Sequence, residues 1–518
     1  MSDNDPIKKR ELEAVERTLR LFAKLRKRKD FTKARTTFRN FVAKYPLSQK
    51  IHVEYAEIAI LCGEWGEALR SLKILMSLQG ASAERDGIVL RVAEIYRDLG
   101  QIQEAERRIR AGLRVRPGSL VLKRARAELS VLFGISETGD EAWRSLLTCD
   151  EFQIVDGVEK AKTIASCVAG FRLFGCANEA DELLRVYFDG KDPAWSEILT
   201  DGYFMMPVFC NGRTRLEYRT KIFDFVERVP VSAKQIVMTF DTMLQGWDSV
   251  PYGYRPLSTR AADMISVRKF SAEDFHQDFS RDAFLAVVLP IVRNYESVVA
   301  IGQSLGAYSS LYYAGTLPGC RILASAPRNP QNPKYSGPKY ARYDLFRHSY
   351  DMPIHHQATP TIVYDPKNSE DGAYVERSLR RCFPKARFVK YPYCGHSIPR
   401  FLLEVGLLKT TTLAFCDGSP FPEFDRRVRG KSAEYLRNLA KLNYAAGRTR
   451  TALRLAERAL KLGTYPERSK ALIEKFNESE KSLVSNGLAV KNPKKKLQRS
   501  FFQRLLKLVR LRFRQWAA

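Results

Sequence analysis

The chain has 518 residues, a formal charge of +28, 45% hydrophobic residues and 28% charged residues. At about 150 residues per domain that length exceeds one ordinary core and calls for roughly three units. The composition excludes a generally disordered chain, and no apolar run approaches the ~18 residues of a membrane-spanning helix. Acidic partners become candidates, but charge alone does not choose among nucleic acid, anionic lipid and a polyanionic polymer.

The first residues, MSDNDPIKKRELEAVER, are charged where a signal peptide is apolar, so a cytoplasmic location is expected. Residues 1–130 then carry an internal repeat. The segments DFTKARTTFRNFVAKYP, EWGEALRSLKILMSL and QIQEAERRIRAGLRVRP place Ala34, Ala68 and Ala105 at intervals of 34 and 37 residues, each followed four later by Phe38, Leu72 or Ile109. A small residue followed by a large one at i+4 lets one helix approach its neighbour and fill the gap. Between these segments, HVEYAEIAILCG and IVLRVAEIYRDLG read as helices closed by glycine. The unit helix, turn, helix resembles the tetratricopeptide repeat, with Gly63, Ala68 and Pro46, then Gly100, Ala105 and Pro117, at that family's small and proline positions. A further copy falls within 131–231, at Gly175 and Ala180, and another at 425–480. Such repeats either bury one another or present a protein-binding surface, and a protein partner is expected.

From residue 232 to 408 the pattern becomes alternating strand and helix. Six strands are predicted, at 235–241, 263–269, 297–302, 321–327, 361–365 and 386–392, which argues for a mainly parallel sheet with helices on both faces. The fold class expected is therefore multidomain, α and α/β. The stretch 328–360, rich in Pro, Tyr and basic residues, is predicted as a long loop.

Within this region VVAIGQSLGAY runs from strand through Gly302-Gln303-Ser304-Leu305-Gly306 into a helix. A serine in such a turn, a nucleophile elbow, is a candidate nucleophile, with the next N–H, that of Leu305, as one oxyanion donor. The second donor is expected after the first strand, near Phe240, Asp241 or Thr242. A serine needs a base and the base needs an acid. His396, in YPYCGHSIP after the last strand, is the candidate base, and Asp371 or Asp365 in YDPKNSEDG the acid. Asp371 is slightly favoured because it lies beyond the strand end; each also has a structural reading, as a helix cap for Asp371 and a turn residue before Pro366 for Asp365. The competing reading of Ser304 is a helix cap.

These residues, in the order serine, acid, histidine, resemble the α/β-hydrolase superfamily over about a third of the chain. TFDTM stands where that family has a His-Gly motif. The wider layout, with phrases such as TFDTM, YDPKN and YCGHS, is similar to bacterial proteins linked with surface or capsular polysaccharide production. The resemblance implies an esterase or acyltransferase with an acyl ester or acylated saccharide as substrate. The nine cysteines are scattered without a Cys-x-x-Cys pair, so reduced thiols are expected, and no cofactor or metal is implied.

The tail, residues 487–518, has ten basic residues within KNPKKKLQRSFFQRLLKLVRLRFRQWAA and no acidic one. Helical spacing groups Phe502, Leu505, Leu506, Val509, Phe513 and Trp516 on one face. A cationic amphipathic helix over 491–516 suits an anionic membrane surface, which adds a peripheral position at the inner face of the membrane to the cytoplasmic expectation. No zinc finger, RNP phrase or helix-turn-helix signature supports a nucleic-acid partner. The alternative to catalysis is a repeat-based scaffold at the membrane with a degenerate hydrolase core.

Overall fold

The computed structural model describes residues 6–485 apart from 29, 80–81, 134–138, 200, 225, 272–273, 336–345 and 357. The basic tail and the centre of the predicted 328–360 loop lie outside the described residues. The chain forms two compact units, one of residues 1–362 with 374–387, the other of 363–373 with 388–518. No helix among the described residues is long and apolar enough to cross a membrane.

In the first unit the repeats are antiparallel helix pairs: Gln49–Leu61 with Trp65–Leu78, Ala83–Asp98 with Ile102–Val115, and Gly157–Leu173 with Ala177–Tyr187. Each pair turns on a glycine in the left-handed region, with φ of 77° at Gly63, 77° at Gly100 and 79° at Gly175. The same bonds close all three turns. Gly63 N–H donates to Ile60 O and Glu64 N–H to Ala59 O, and the pattern returns at Gly100 with Gln101 and at Gly175 with Cys176. Only a residue without Cβ adopts this conformation at little cost. Ala34, Ala68, Ala105 and Ala180 have no exposed surface, as the close approach of neighbouring helices requires.

The three glycine turns also meet the α/β part of the same unit. A Cβ on Gly63 would lie 2.8 Å from the Phe270 ring, one on Gly100 3.0 Å from Asn211 Cα, and one on Gly175 3.0 Å from Asn294 Oδ1. One end of the repeat stack is therefore spent on internal packing.

The sheet has eight strands: β1 (Tyr203–Cys210), β2 (Thr214–Lys221), β3 (Gln235–Phe240), β4 (Asp263–Lys269), β5 (Ser297–Gln303), β6 (Arg321–Ser325), β7 (Thr361–Tyr364) and β8 (Arg387–Lys390), in the order β1-β2-β4-β3-β5-β6-β7-β8. β3 runs parallel to β4 and β5, and β5 parallel to β6, whereas β2 is antiparallel to both β1 and β4. The six expected strands are present, and β1 and β2 correct the count to eight. Their hairpin turns at Asn211-Gly212, where Asn211 Oδ1 accepts from Arg213 N–H at 3.0 Å and Thr214 N–H at 2.6 Å. The charged sequence TRLEYRTK does not read as a buried strand, because its charges are neutralised only by tertiary partners. Glu217, 1% exposed, is bonded by Arg215 at 2.7 Å, Arg219 at 2.6 Å and Arg268 at 3.2 Å. Burial pushes its carboxyl up, but the three guanidinium groups prevail and hold it at about 2.

In the second unit Ala433–Ala445 and Thr449–Lys461 form another helix pair, turning on Gly447 with φ 73°, followed by Pro466–Ser485. Ala440, Ala452, Ala456 and Phe476 make its core. The nine cysteines are free thiols, six of them buried.

Candidate active site

Ser304 follows β5 with φ +54° and ψ −118° and leads into the helix Leu305–Tyr313. A non-glycine residue costs of order 1–3 kcal/mol to hold there. Three backbone bonds hold it: Ser304 N–H donates to Ser325 O at 2.9 Å, and Ser304 O accepts from Tyr308 N–H at 3.0 Å and Arg328 N–H at 3.1 Å. The side chain makes no capping bond to the helix, so the helix-cap reading does not account for it. Both flanking glycines are forced by space. A Cβ on Gly302 would lie 2.2 Å from Gly306 O, and one on Gly306 2.4 Å from Phe240 O. The side chain is half-buried at the C-terminal end of a parallel strand, where open α/β sheets place ligands.

The candidate oxyanion donors fare differently. Leu305 is the first residue of its helix, where the N–H has no intrahelical acceptor and the helix dipole is positive. Asp241 is corrected: its N–H donates to Val267 O at 3.1 Å, extending the β3–β4 pairing. Phe240 is in the body of β3, paired with Val267. The Thr242 N–H donates to Gln245 Oε1 at 2.9 Å, a side-chain acceptor that is itself held through Nε2 on Val250 O at 2.9 Å.

Sequence reasoning also missed the two cations that hold this loop. Arg268 and Lys269 end β4, both at 1% exposure or less. Arg268 donates to Asp241 Oδ2 at 2.8 Å, Gly246 O at 2.5 Å and Ser249 O at 2.6 Å; Lys269 Nζ donates to Met243 O at 2.9 Å and Ser271 O at 2.8 Å. Burial raises Asp241 to about 6 against the pull of Arg268, and lowers Lys269 to about 8. His276, buried with φ 56°, is 3.1 Å from Asp241 O through Nε2, and desolvation lowers it to about 4. A strand ending in Arg-Lys reads as solvent-facing unless the carbonyls it must satisfy are known.

Beside the far end of the elbow helix lies a cavity of about 650 Å³ lined by Gln277, Asp278, Ser280, Arg281, Tyr312 and His348 among others. His348 stacks on Tyr312 at 3.9 Å between centroids, and the Arg281 guanidinium lies 5.6 Å from the centre of the Tyr312 ring. Tyr308 and Tyr312 stand one and two turns beyond Ser304 along the same helix, so the cavity runs away from the serine by about 12 Å.

In the second unit His396 Nδ1 is 2.9 Å from Asp371 Oδ2 and 3.0 Å from Asp371 Oδ1. The carboxylate is fully buried and the imidazole 28% exposed. A carboxylate on Nδ1–H leaves Nε2 as the basic nitrogen. Asp371 is not the helix cap; Asn368 Oδ1 accepts the Glu370 and Asp371 N–H groups at 3.2 and 3.1 Å. Asp365 does not bond the histidine. It accepts Lys367 N–H at 2.8 Å around Pro366, Tyr393 N–H at 3.0 Å and Gly395 N–H at 2.7 Å. Burial raises its pKa above the ordinary carboxylate value while these bonds pull it down. The loop it holds has Tyr393 at φ 68° and Gly395 at φ 70°. Among the described residues no group of three or more His, Cys, Asp or Glu is placed to hold a metal ion.

No protein-family model and no curated protein matches the chain. Among solved structures it is similar to Est1E from Butyrivibrio proteoclasticus, at 12% identity over 42% of this chain and 99% of that one, with a TM-score of 0.28.

Proposed function

We propose that the protein is a serine hydrolase of the α/β-hydrolase type, an esterase or acyltransferase that acts on an acyl ester. The observation that carries this reading is Ser304 held at φ +54° at the end of a parallel strand, with a glycine two residues to either side that admits no side chain. The bonded pair of His396 and Asp371 supports it, because an oriented base is what a serine hydroxyl needs in order to attack.

In the proposed reaction Ser304 Oγ bonds to the ester carbonyl carbon as its proton passes to His396 Nε2, and Asp371 balances the imidazolium. The carbonyl oxygen takes the negative charge against Leu305 N–H; Thr242 N–H supplies a second donor when the oxyanion displaces Gln245 Oε1 from it. Collapse breaks the carbon–oxygen bond to the leaving alcohol, which takes the proton from His396. Water or another hydroxyl then attacks the acyl-serine as its proton passes to His396, the acyl–Oγ bond breaks, and Ser304 Oγ takes the proton back from His396 as the acid or new ester leaves. The substrate proposed is an acylated saccharide, as in surface polysaccharide modification.

The test is labelling by a fluorophosphonate probe, which reacts only with an activated serine. Labelling of wild type, its loss in Ser304→Ala, and a fall on the order of 10²-fold or more in His396→Ala is the expected pattern. A folded wild type that does not label would refute the reading.

A further inference from the structure

The loop that carries His396 is held from a direction the reaction scheme does not use. Asn438, in the middle of the helix Ala433–Ala445, donates through Nδ2 to Cys394 O at 3.0 Å. It sits so close that a Cβ on Gly395 would meet Asn438 Nδ2 at 2.4 Å. The peptides before His396 are thus gripped on two sides, by Asp365 taking the Tyr393 and Gly395 N–H groups and by Asn438 giving to the Cys394 carbonyl. Tyr393, with a Cβ, is held at φ 68°, a conformation that relaxes unless something holds it, while Gly395 at φ 70° makes the turn at little cost.

The helix bearing Asn438 is itself tied to the segment after His396. The helix Ile398–Glu404 begins two residues beyond the histidine, and Glu404 Oε2 accepts from Ser432 Oγ at 2.5 Å and Glu434 N–H at 2.9 Å. Arg437, 2% exposed, stands 3.6 Å from Glu404 and 2.8 Å from Glu434, and donates to Thr464 O at 2.7 Å. The C-terminal helix pair therefore holds the chain both before and after His396.

We infer that Asn438 is a positioning residue for His396, and that the C-terminal helix pair is part of the mounting of the base rather than an appended module. For catalysis this rests on the serine-hydrolase reading; for the geometry of His396 it does not. An Asn donor fits where the acceptor is a backbone carbonyl on a strained path. Asp at 438 would set a carboxylate against that carbonyl, and Ala would leave the carbonyl unpaired.

The test uses the full chain labelled with [¹⁵N]histidine, in which six histidines give six imidazoles to follow. The His396 resonance is identified by its loss in His396→Gln, and its Nδ1 proton is read downfield as the mark of the bond to Asp371. Asn438→Asp is expected to broaden or remove that proton. It should also lower kcat for a model ester by about 10- to 100-fold while KM stays within about twofold, because a misplaced base costs rate rather than binding. Asn438→Ala should do the same to a smaller degree, and decides the matter where the Asp variant does not fold. Leu442→Ala, at a 40%-exposed position on the same helix, should change neither readout. A downfield proton and a kcat that both survive in the Asn438 variants would overturn the inference. Should wild type fail to turn over ester or label at Ser304, the hydrolase reading falls, and the Nδ1 proton alone then decides for or against Asn438.

Discussion

Gly306→Ala tests the elbow without reference to any substrate. The new Cβ would lie 2.4 Å from Phe240 O and 3.2 Å from Phe240 C, against a buried central strand with no side chain to swing aside. Restoring an ordinary contact of about 3.4 Å requires the helix start and the end of β3 to part by about 1 Å. In a close-packed site that strain costs about 2–3 kcal/mol, and a displacement near 1 Å of the reacting atom costs on the order of 10²-fold in rate. Gly302→Ala, 2.2 Å from Gly306 O, should be at least as severe. Gly66→Ala is the control. It lies in the helix Trp65–Leu78 with nothing within 4 Å of its added Cβ, and should stabilise by about 0.5–1 kcal/mol. The assay is the urea midpoint by tryptophan fluorescence together with the fluorophosphonate labelling rate. A Gly306→Ala protein with the wild-type midpoint and wild-type labelling would show that the turn is slack and that its glycines are incidental.

Asp371→Asn should lower kcat by about 10⁴-fold with little loss of stability, since the amide keeps the shape but cannot hold the imidazolium; steady-state ester hydrolysis measures it. Asp365→Asn should act on the loop, raising amide hydrogen exchange at Tyr393 and Gly395, because a neutral amide oxygen replaces a carboxylate that accepts three backbone donors. Arg268→Ala leaves Asp241 and Glu217 buried against fewer cations and should cost about 3–5 kcal/mol by urea unfolding. Acid should destabilise the first unit. Burial holds His276 at about 4 and His348 at about 3, so between pH 6.5 and 4 the unfolded chain takes up protons that the folded chain refuses, and stability falls as pH falls. Each histidine contributes on the order of 3 kcal/mol to that fall, while Asp241, raised by burial to about 6, opposes it by binding a proton earlier in the folded state than in the unfolded. Melting temperatures at pH 7.5 and 5 should therefore differ, and His276→Gln should narrow the gap.

What the sequence determined by itself was local. The helix pairs follow from the spacing of Ala34, Ala68 and Ala105 and from the glycines that close the first helix of each pair, because apolar periodicity and left-handed turns are settled within a few residues. The elbow was readable for the same reason: Gly302, Ser304 and Gly306 are constrained by one another and by the adjoining strand. Tertiary structure decided what depends on distant partners. The charges of β2 and the end of β4 are tolerated inside only because Glu217, Asp241 and loop carbonyls come from elsewhere in the chain. Asp365 and Asp371 are six residues apart and chemically identical; which one meets His396 is set by the path of the loop, and that path is held by Asp365 itself and by Asn438, 44 positions beyond the carbonyl it grips. The Asp241 N–H was lost as an oxyanion donor because a sheet partner reached it first. A residue's type marks the chemistry it is able to do, whereas the contacts that aim it are made by residues far along the chain whose own sequence bears no sign of the task.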